Sequence, residues 1–152
     1  VRDGLRARPG PRKLAAPPSG LARPKATAMA TVMLRRLPRK CLPWDVVATL
    51  DRFVDRQAYD FVCVPHSDSS PFNMGFAIVN FVDASAAQAA IDKMEGHLWE
   101  GSTSARINAR KGRVQGLGAN LSLWKEAQER NGATQRGWPV HAPLVFEGGR
   151  RV

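Results

Sequence analysis

One stretch restricts the fold of this 152-residue chain more than any other: Asn73-Met74-Gly75-Phe76-Ala77-Ile78-Val79-Asn80-Phe81-Val82. On a strand, successive side chains point to opposite faces. Met74, Phe76 and Ile78 would then share one face, and Ala77, Val79 and Phe81 the other. The second set suits packing beneath helices. The first is left on an open sheet surface, where the ring of Phe76 is free to stack. Gly75 allows a bulge or a close approach at the strand's start. Alone, these residues suit a half-buried strand of any α+β domain equally well, so the flanking sequence has to decide.

Charge is distributed unevenly. The net charge is +10, with +6 in residues 1–30, +1 in residues 31–111 and +3 in residues 112–152. The central part is nearly neutral, and the flanks carry the basicity. Basic flanks suit a polyanion, although a charge run is often simply solvated chain. At 43% hydrophobic the chain can bury a core, and no apolar run approaches the ~20 residues of a membrane span. The N-terminus has no apolar signal-peptide core and does not begin with Met, so a piece of a longer protein is expected. Cys41 and Cys63 form neither a metal cluster nor a disulfide framework, which points to an intracellular, reducing setting.

Residues 1–30, rich in Pro, Arg, Ala and Gly, read as a disordered basic linker. Thr31–Leu37 reads as a strand ending at Pro38, with Val32, Leu34 and Leu37 inward and Met33 and Arg35 on the opposite face. Pro43 can open a helix whose apolar face is Val46/Val47, Leu50 and Phe53/Val54. Tyr59–Pro65 is a second strand, followed by a polar loop over 66–71 and the Gly75 strand. Asp83 or Ser85 can cap a second helix that Gly96 ends. Ala105–Ala109 is a short fourth strand, with Ile107 and Ala109 inward. The order βαββαβ is a recurrent supersecondary pattern. Beyond it, Val114, Leu117, Leu121 and Trp124 lie on one helical face, weakened by Gly116 and Gly118. Trp138–Val140 and Pro143–Phe146 read as an extended, partly apolar arm.

Met74–Phe81 resembles the longer signature of the RNA recognition motif, K/R-G-F/Y-G/A-F-V-x-F/Y. Gly75, Phe76, Ala77, Val79 and Phe81 match it, while Met74 and Ile78 replace the usual basic and aromatic residues. The first strand resembles the shorter signature, with Met33 at its aromatic position and Arg36 at its Asn position. A more specific resemblance is to the C-terminal RNA recognition motif of the Mei-two-like meiotic regulators. It is carried by Thr31-Val32-Met33-Leu34-Arg35, Tyr59-Asp60-Phe61, Asn73–Ala77, Val79–Asp83 and Gly96-x-x-Trp99-Glu100. Past the fourth strand it continues in Arg113-Val114-Gln115-Gly116 and Ala142-Pro143-Leu144-Val145-Phe146. The resemblance spans about residues 31–147. It implies an α+β, ferredoxin-like domain over residues 31–111, with a four-stranded antiparallel sheet backed by two helices. Residues 112–152 would form a helical and extended appendage. The implied function is binding of single-stranded RNA by a regulator of meiosis or development in the nucleus or cytoplasm.

A typical member of this fold stacks two or three bases on signature aromatics; here only Phe76 holds such a position. The expected RNA-binding set is Met33, Arg35, Phe61, Phe76, Ile78, Arg106, Asn108, Arg110 and Lys111. Phe61 would share the face of Phe76 if Val62 and Val64 face the core. Arg35, Arg106, Arg110 and Lys111 would ring that face, with Arg39 and Lys40 as weaker candidates. The apolar outer face also attracts the C-terminal helix, which is expected to cover part of the sheet and limit RNA access. The rival reading keeps the fold and uses the sheet or helical face for a protein partner; the missing aromatics and the acidic first helix favour it. A third reading has the basic tail bind any polyanion. His66, His97 and His141 are scattered, and nothing assembles a nucleophile–base pair, metal site or phosphate loop. A monomeric non-enzyme without cofactor or metal is expected.

Overall fold

The computed structural model describes residues 29–66, 70–131 and 142–152. The expected linker therefore lies outside the described residues up to residue 28, as do Trp138–Val140 and His141. Six strands form one antiparallel sheet: β1 (Thr31–Arg35), β2 (Tyr59–Cys63), β3 (Phe76–Phe81), β4 (Asn108–Lys111), β5 (Leu144–Glu147) and β6 (Arg150–Arg151). Their spatial order is β4-β1-β3-β2-β5-β6. The βαββαβ order is as read from the sequence; the strand count is not. β5 adds to the free edge of β2, pairing Val145 with Phe61 and Leu144 with Val62, and makes a fifth strand of what reads as an arm. A two-glycine turn, Gly148 at φ 60° and Gly149 at φ 86°, returns the chain as β6, since a tight hairpin favours residues that accept positive φ.

Helix α1 (Pro43–Leu50) starts with Pro43 at its first position. Leu42 has no polar side chain to cap with, and the Asp45 carboxylate accepts the Leu42 N–H at 2.8 Å instead. The helix stops at Leu50, short of the expected Phe53/Val54. Those two residues lie in turns whose N–H groups both donate to Leu50 O at 2.9 Å. Helix α2 (Ala84–Met94) is capped by Asp83, which accepts the Ala86 N–H at 2.8 Å. Both helices bury their apolar faces against one side of the sheet: Val46, Val47, Leu50, Ala87, Ala90 and Met94 meet Val32, Leu34, Ala77, Val79, Ile107 and Ala109. Trp99 joins this core, 1% exposed, and its indole N–H donates to Arg35 O at 3.3 Å.

Phe146 shows why β5 is part of the domain. It is 2% exposed and meets Tyr59 edge-on at 5.4 Å and Trp44 at 6.1 Å between centroids. The Arg56 guanidinium lies 5.4 Å from its ring. Arg56 also grips both oxygens of Asp51, at 3.3 and 2.8 Å, and Tyr59 donates its hydroxyl to the same carboxylate at 2.8 Å. Partial burial would raise the Asp51 pKa, but the hydrogen bonds from Arg56 and Tyr59 outweigh it and hold the carboxyl below its ordinary value. Burial pushes the Tyr59 phenol well up.

Candidate nucleic-acid interface

The face of the sheet opposite α1 and α2 is organised in three rows set by strand register, since paired residues point to the same side. The first row is Thr31, Asn80 and Phe61; the second is Arg110, Met33, Ile78 and Cys63; the third is Asn108, Arg35 and Phe76. Exposure rises along them. In the first row Thr31 is 0%, Phe61 1% and Asn80 4% exposed. In the second, Met33 and Ile78 are half-buried, Cys63 is buried and Arg110 is exposed. In the third, Phe76 and Asn108 are half-buried and Arg35 is exposed.

The C-terminal helix α3 (Leu117–Asn131) closes the first row. Its inward stripe is Leu117, Asn120, Leu121, Trp124 and Ala127, while Ser122, Lys125, Glu126 and Glu129 are exposed. Asn120 is 3% exposed and donates to the Thr31 hydroxyl at 3.3 Å. That hydroxyl accepts a further hydrogen bond from Gly116 N at 2.9 Å and donates to Asn80 Oδ1 at 2.6 Å. Asn80 Nδ2 in turn donates to Asp60 at 2.8 Å. Burial raises the Asp60 pKa, opposed by the hydrogen bond from Asn80. Buried polar groups cost stability unless paired, and this chain pairs them.

The approach to α3 is built as firmly. Gln115 Oε1 accepts the N–H groups of Ala30 and Thr31, both at 2.8 Å, and its Nε2 donates to Thr31 O at 3.0 Å and Gly112 O at 2.8 Å. One side chain continues the hydrogen bonding of β1 after β4 has ended. Gly112 fits closely there: a Cβ would stand 3.1 Å from Thr31 O and 3.2 Å from Thr31 Cγ2, so a larger residue would need Thr31 to give by a few tenths of an ångström. Val114 and Gly116 precede the helix and are not members of its face; only Gly118 of the two glycines lies within it.

The third row stays open. Arg35, Arg36, Met74, Gly75, Phe76, Asn108 and Arg110 line a cleft of about 390 Å³. Three of these seven are cations and none is acidic, so the cleft favours an anionic ligand carrying flat rings. Arg36 has φ 65°, rare for a residue with a long side chain. Asn tolerates that left-handed conformation far better, which gives a physical reason for the Asn that the shorter signature places here.

Five of the nine expected site residues converge on this end: Arg35, Phe76 and Asn108 in the third row, with Arg110 and Ile78 next to it in the second. Met33 is half-buried between Ile78 and Arg110. Arg110 is shared with Glu95, at 3.3 Å. Phe61 is on the same side as Phe76, as Val62 and Val64 in the core require, but its burial leaves no surface for a base. Arg106 bridges to Leu98 and donates to Gly96 O at 2.9 Å, which commits it to the hairpin beside α2. Lys111 pairs with Val32, and that register turns it to the helix side of the sheet. Arg36 and Met74, absent from the expected set, stand in the cleft wall. Cys63 and Cys41 are poor nucleophiles, because burial pushes their thiols up to about 12 and about 11, with Asp45 adding to the shift at Cys41.

The model of the family described as RNA recognition motif 2 matches residues 29–124, which runs from just before β1 to Trp124 of α3. Protein MEI2-like 6 of Oryza sativa subsp. japonica is 30% identical over 113 residues, covering 61% of this chain and 35% of that protein. Protein MEI2-like 4 of Arabidopsis thaliana is 24% identical over 102 residues, covering 66% of this chain and 11% of that protein. The chain thus spans about a third and about a tenth of these relatives. Among solved structures, the Rna15 RRM with bound RNA (GU) is similar at TM-score 0.49 and 12% identity, over 64% of this chain and 96% of that one. The second RRM domain of yeast poly(U)-binding protein (Pub1) is similar at TM-score 0.48 and 15% identity, over 58% and 99%. With more than half of its length matched by the family model, and with curated relatives of the Mei2-like kind, this chain belongs to the RNA recognition motif 2 family.

Proposed function

We propose that this domain binds single-stranded RNA through the open end of its sheet, within a post-transcriptional regulator of meiosis or development. Family membership supports the class, and the relatives' Mei2-like names support the setting. The observation that carries the reading is the third row. Phe76 is a flat platform with Arg35 and Arg36 beside it, in a cleft without carboxylates. Base–aromatic stacking and phosphate pairing need that combination. The nucleus or cytoplasm, where RNA is met, is the matching location. Residues 31–111 supply the platform, and within the appendage over residues 112–152 α3 restricts it while β5 completes the sheet.

The second reading, a protein-interaction module, is favoured by one observation. Trp44 is 48% exposed on α1, beside Phe146 and Arg56, on the far side from the cleft. Equilibrium binding of a short mixed-sequence RNA pool separates the two. Phe76→Ala should weaken binding roughly tenfold, the loss of one stacked base, while Trp44→Ala leaves it unchanged. Equal affinity of a folded Phe76→Ala protein and the parent removes the RNA reading.

A further inference from the structure

Past the third row the chain leaves the sheet at two places that a single side chain joins. Asn73 is 8% exposed. Its Nδ2 donates to Pro38 O at 2.7 Å and to Cys41 O at 3.1 Å, and its own N–H donates to Arg39 O at 3.0 Å. Its Oδ1 accepts Gly75 N–H at 2.8 Å. The loop after β1 and the loop before β3 are therefore held as one piece, continuous with Gly75 and Met74 in the cleft wall. The joint brings Arg39 over Phe72, the guanidinium carbon 4.6 Å from the ring centroid. Phe72 is half-buried and its N–H donates to Ser70 Oγ at 3.1 Å, while Arg39 is exposed.

The described segments at this corner are basic, with Asp45 near Cys41 and Asp68 outside the described residues. Residues 29–41 and 70–76 hold four cations, Arg35, Arg36, Arg39 and Lys40, and no acid. A guanidinium resting on a ring presents its other planar face outward, and such a plane stacks on bases as an aromatic does. Leu37 N–H donates to Gly75 O at 3.1 Å, so the loop that carries Arg39 leaves the sheet beside the Phe76 end.

We propose that Arg39 stacked on Phe72 is a second base platform, taking a nucleotide beyond the one held at Phe76. It restores a stacking position in place of those that Met33 and Ile78 do not supply. It rests on the RNA-binding reading above. The role is planar stacking and not charge alone, which separates Arg from Lys.

The test is binding of a mixed-sequence six-nucleotide RNA to the full chain over a salt series. Arg39→Lys keeps the charge and loses the plane. It should weaken binding roughly tenfold with an unchanged slope of log K against log salt. Phe72→Leu should do the same, with its folding checked by thermal unfolding, and the double variant should lose little more than either single one. Wild-type affinity in Arg39→Lys overturns the platform and leaves a phosphate contact at most. If Phe76→Ala weakens binding while both platform variants match the parent, this inference fails and the cleft reading stands. If none of the three loses affinity, the cleft reading fails first.

Discussion

The two ends of one sheet face, with a single row between them, have opposite characters. At the Thr31–Asn80–Phe61 end, this face is sealed by α3 and pinned by a chain of hydrogen bonds from Asn120 to Asp60. At the Arg35–Phe76 end the same strands face a cleft walled by arginines. The strands carry both ends on one backbone, so the difference comes from side chains and from what the appendage covers. A face that in a typical member of this fold carries two or three stacking aromatics keeps one of them here. Aromatic residues on it are consequently placed differently: Phe61 is buried, and Phe76 is half-exposed in the cleft wall.

That contrast can be broken by substitution. Phe61→Ala should destabilise the domain by about 3–5 kcal/mol, the usual cost of emptying a buried aromatic site. Phe76→Ala, half-exposed, should lose much less, and chemical denaturation compares the two directly. Equal losses would mean that the ends are not distinct.

Next in size is the polar chain under α3. Asn80→Ala leaves the Thr31 hydroxyl without its acceptor and Asp60 without its donor. It should cost about 1–3 kcal/mol, the range for orphaning a buried polar group. Asn108→Ala, in the open row, should be close to neutral. Hydrogen exchange should also quicken in α3 in the first variant alone.

Arg36 sharpens the comparison from the other side. Holding an L-residue at φ 65° costs about 1–2 kcal/mol. Arg36→Asn should therefore raise stability by up to about 1 kcal/mol while weakening RNA binding. It should also flatten the salt slope by about 0.7 if the guanidinium meets one phosphate. A gain in stability with undiminished affinity would leave the strained arginine without a role in the cleft.

The smallest effect concerns the distant edge that β5 occupies. Asp51 has its pKa depressed in the folded state, so its contribution is present above the ordinary carboxylate value near 3.8 and is lost as pH falls through the lower, folded value. The pair with Arg56 is partly exposed, which limits the effect to under about 1 kcal/mol. Thermal unfolding of the parent and Asp51→Asn between pH 7 and pH 2 should converge at the acid end. A constant gap would place the effect elsewhere.

The core was legible in the sequence because alternation on β3 and helical spacing on α1 and α2 both reflect burial at short range. The inward set of Val32, Leu34, Ala77, Val79, Ile107 and Ala109 follows from parity alone. Long-range polar pairing has no such period. Asn120 interrupts the apolar stripe Leu117–Leu121–Trp124 and looks like a flaw in it, until Thr31 is found 89 residues away along the chain. Gln115 and Phe146 sit in blocks that the family resemblance singled out, but their tasks became visible only with β1 and β2 beside them. β5 read as an arm because four residues cannot reveal which edge they will pair with. The positive φ of Arg36 was hidden by its being an arginine, a residue type that does not suggest such a turn. Ending the chain at Lys111 would remove Phe146 from the core along with α3, so loosening α3 through Gln115→Ala is the cleaner test of covering.

The division of the face is tested most directly by a backbone and side-chain NMR titration of the full chain with a short mixed-sequence RNA. Shifts should gather at Arg35, Arg36, Phe76 and Asn108, fade through Met33 and Ile78, and be absent at Thr31, Phe61 and Asn80. Shifts of equal size in the first and third rows, with α3 resonances moving toward a free helix, would contradict it.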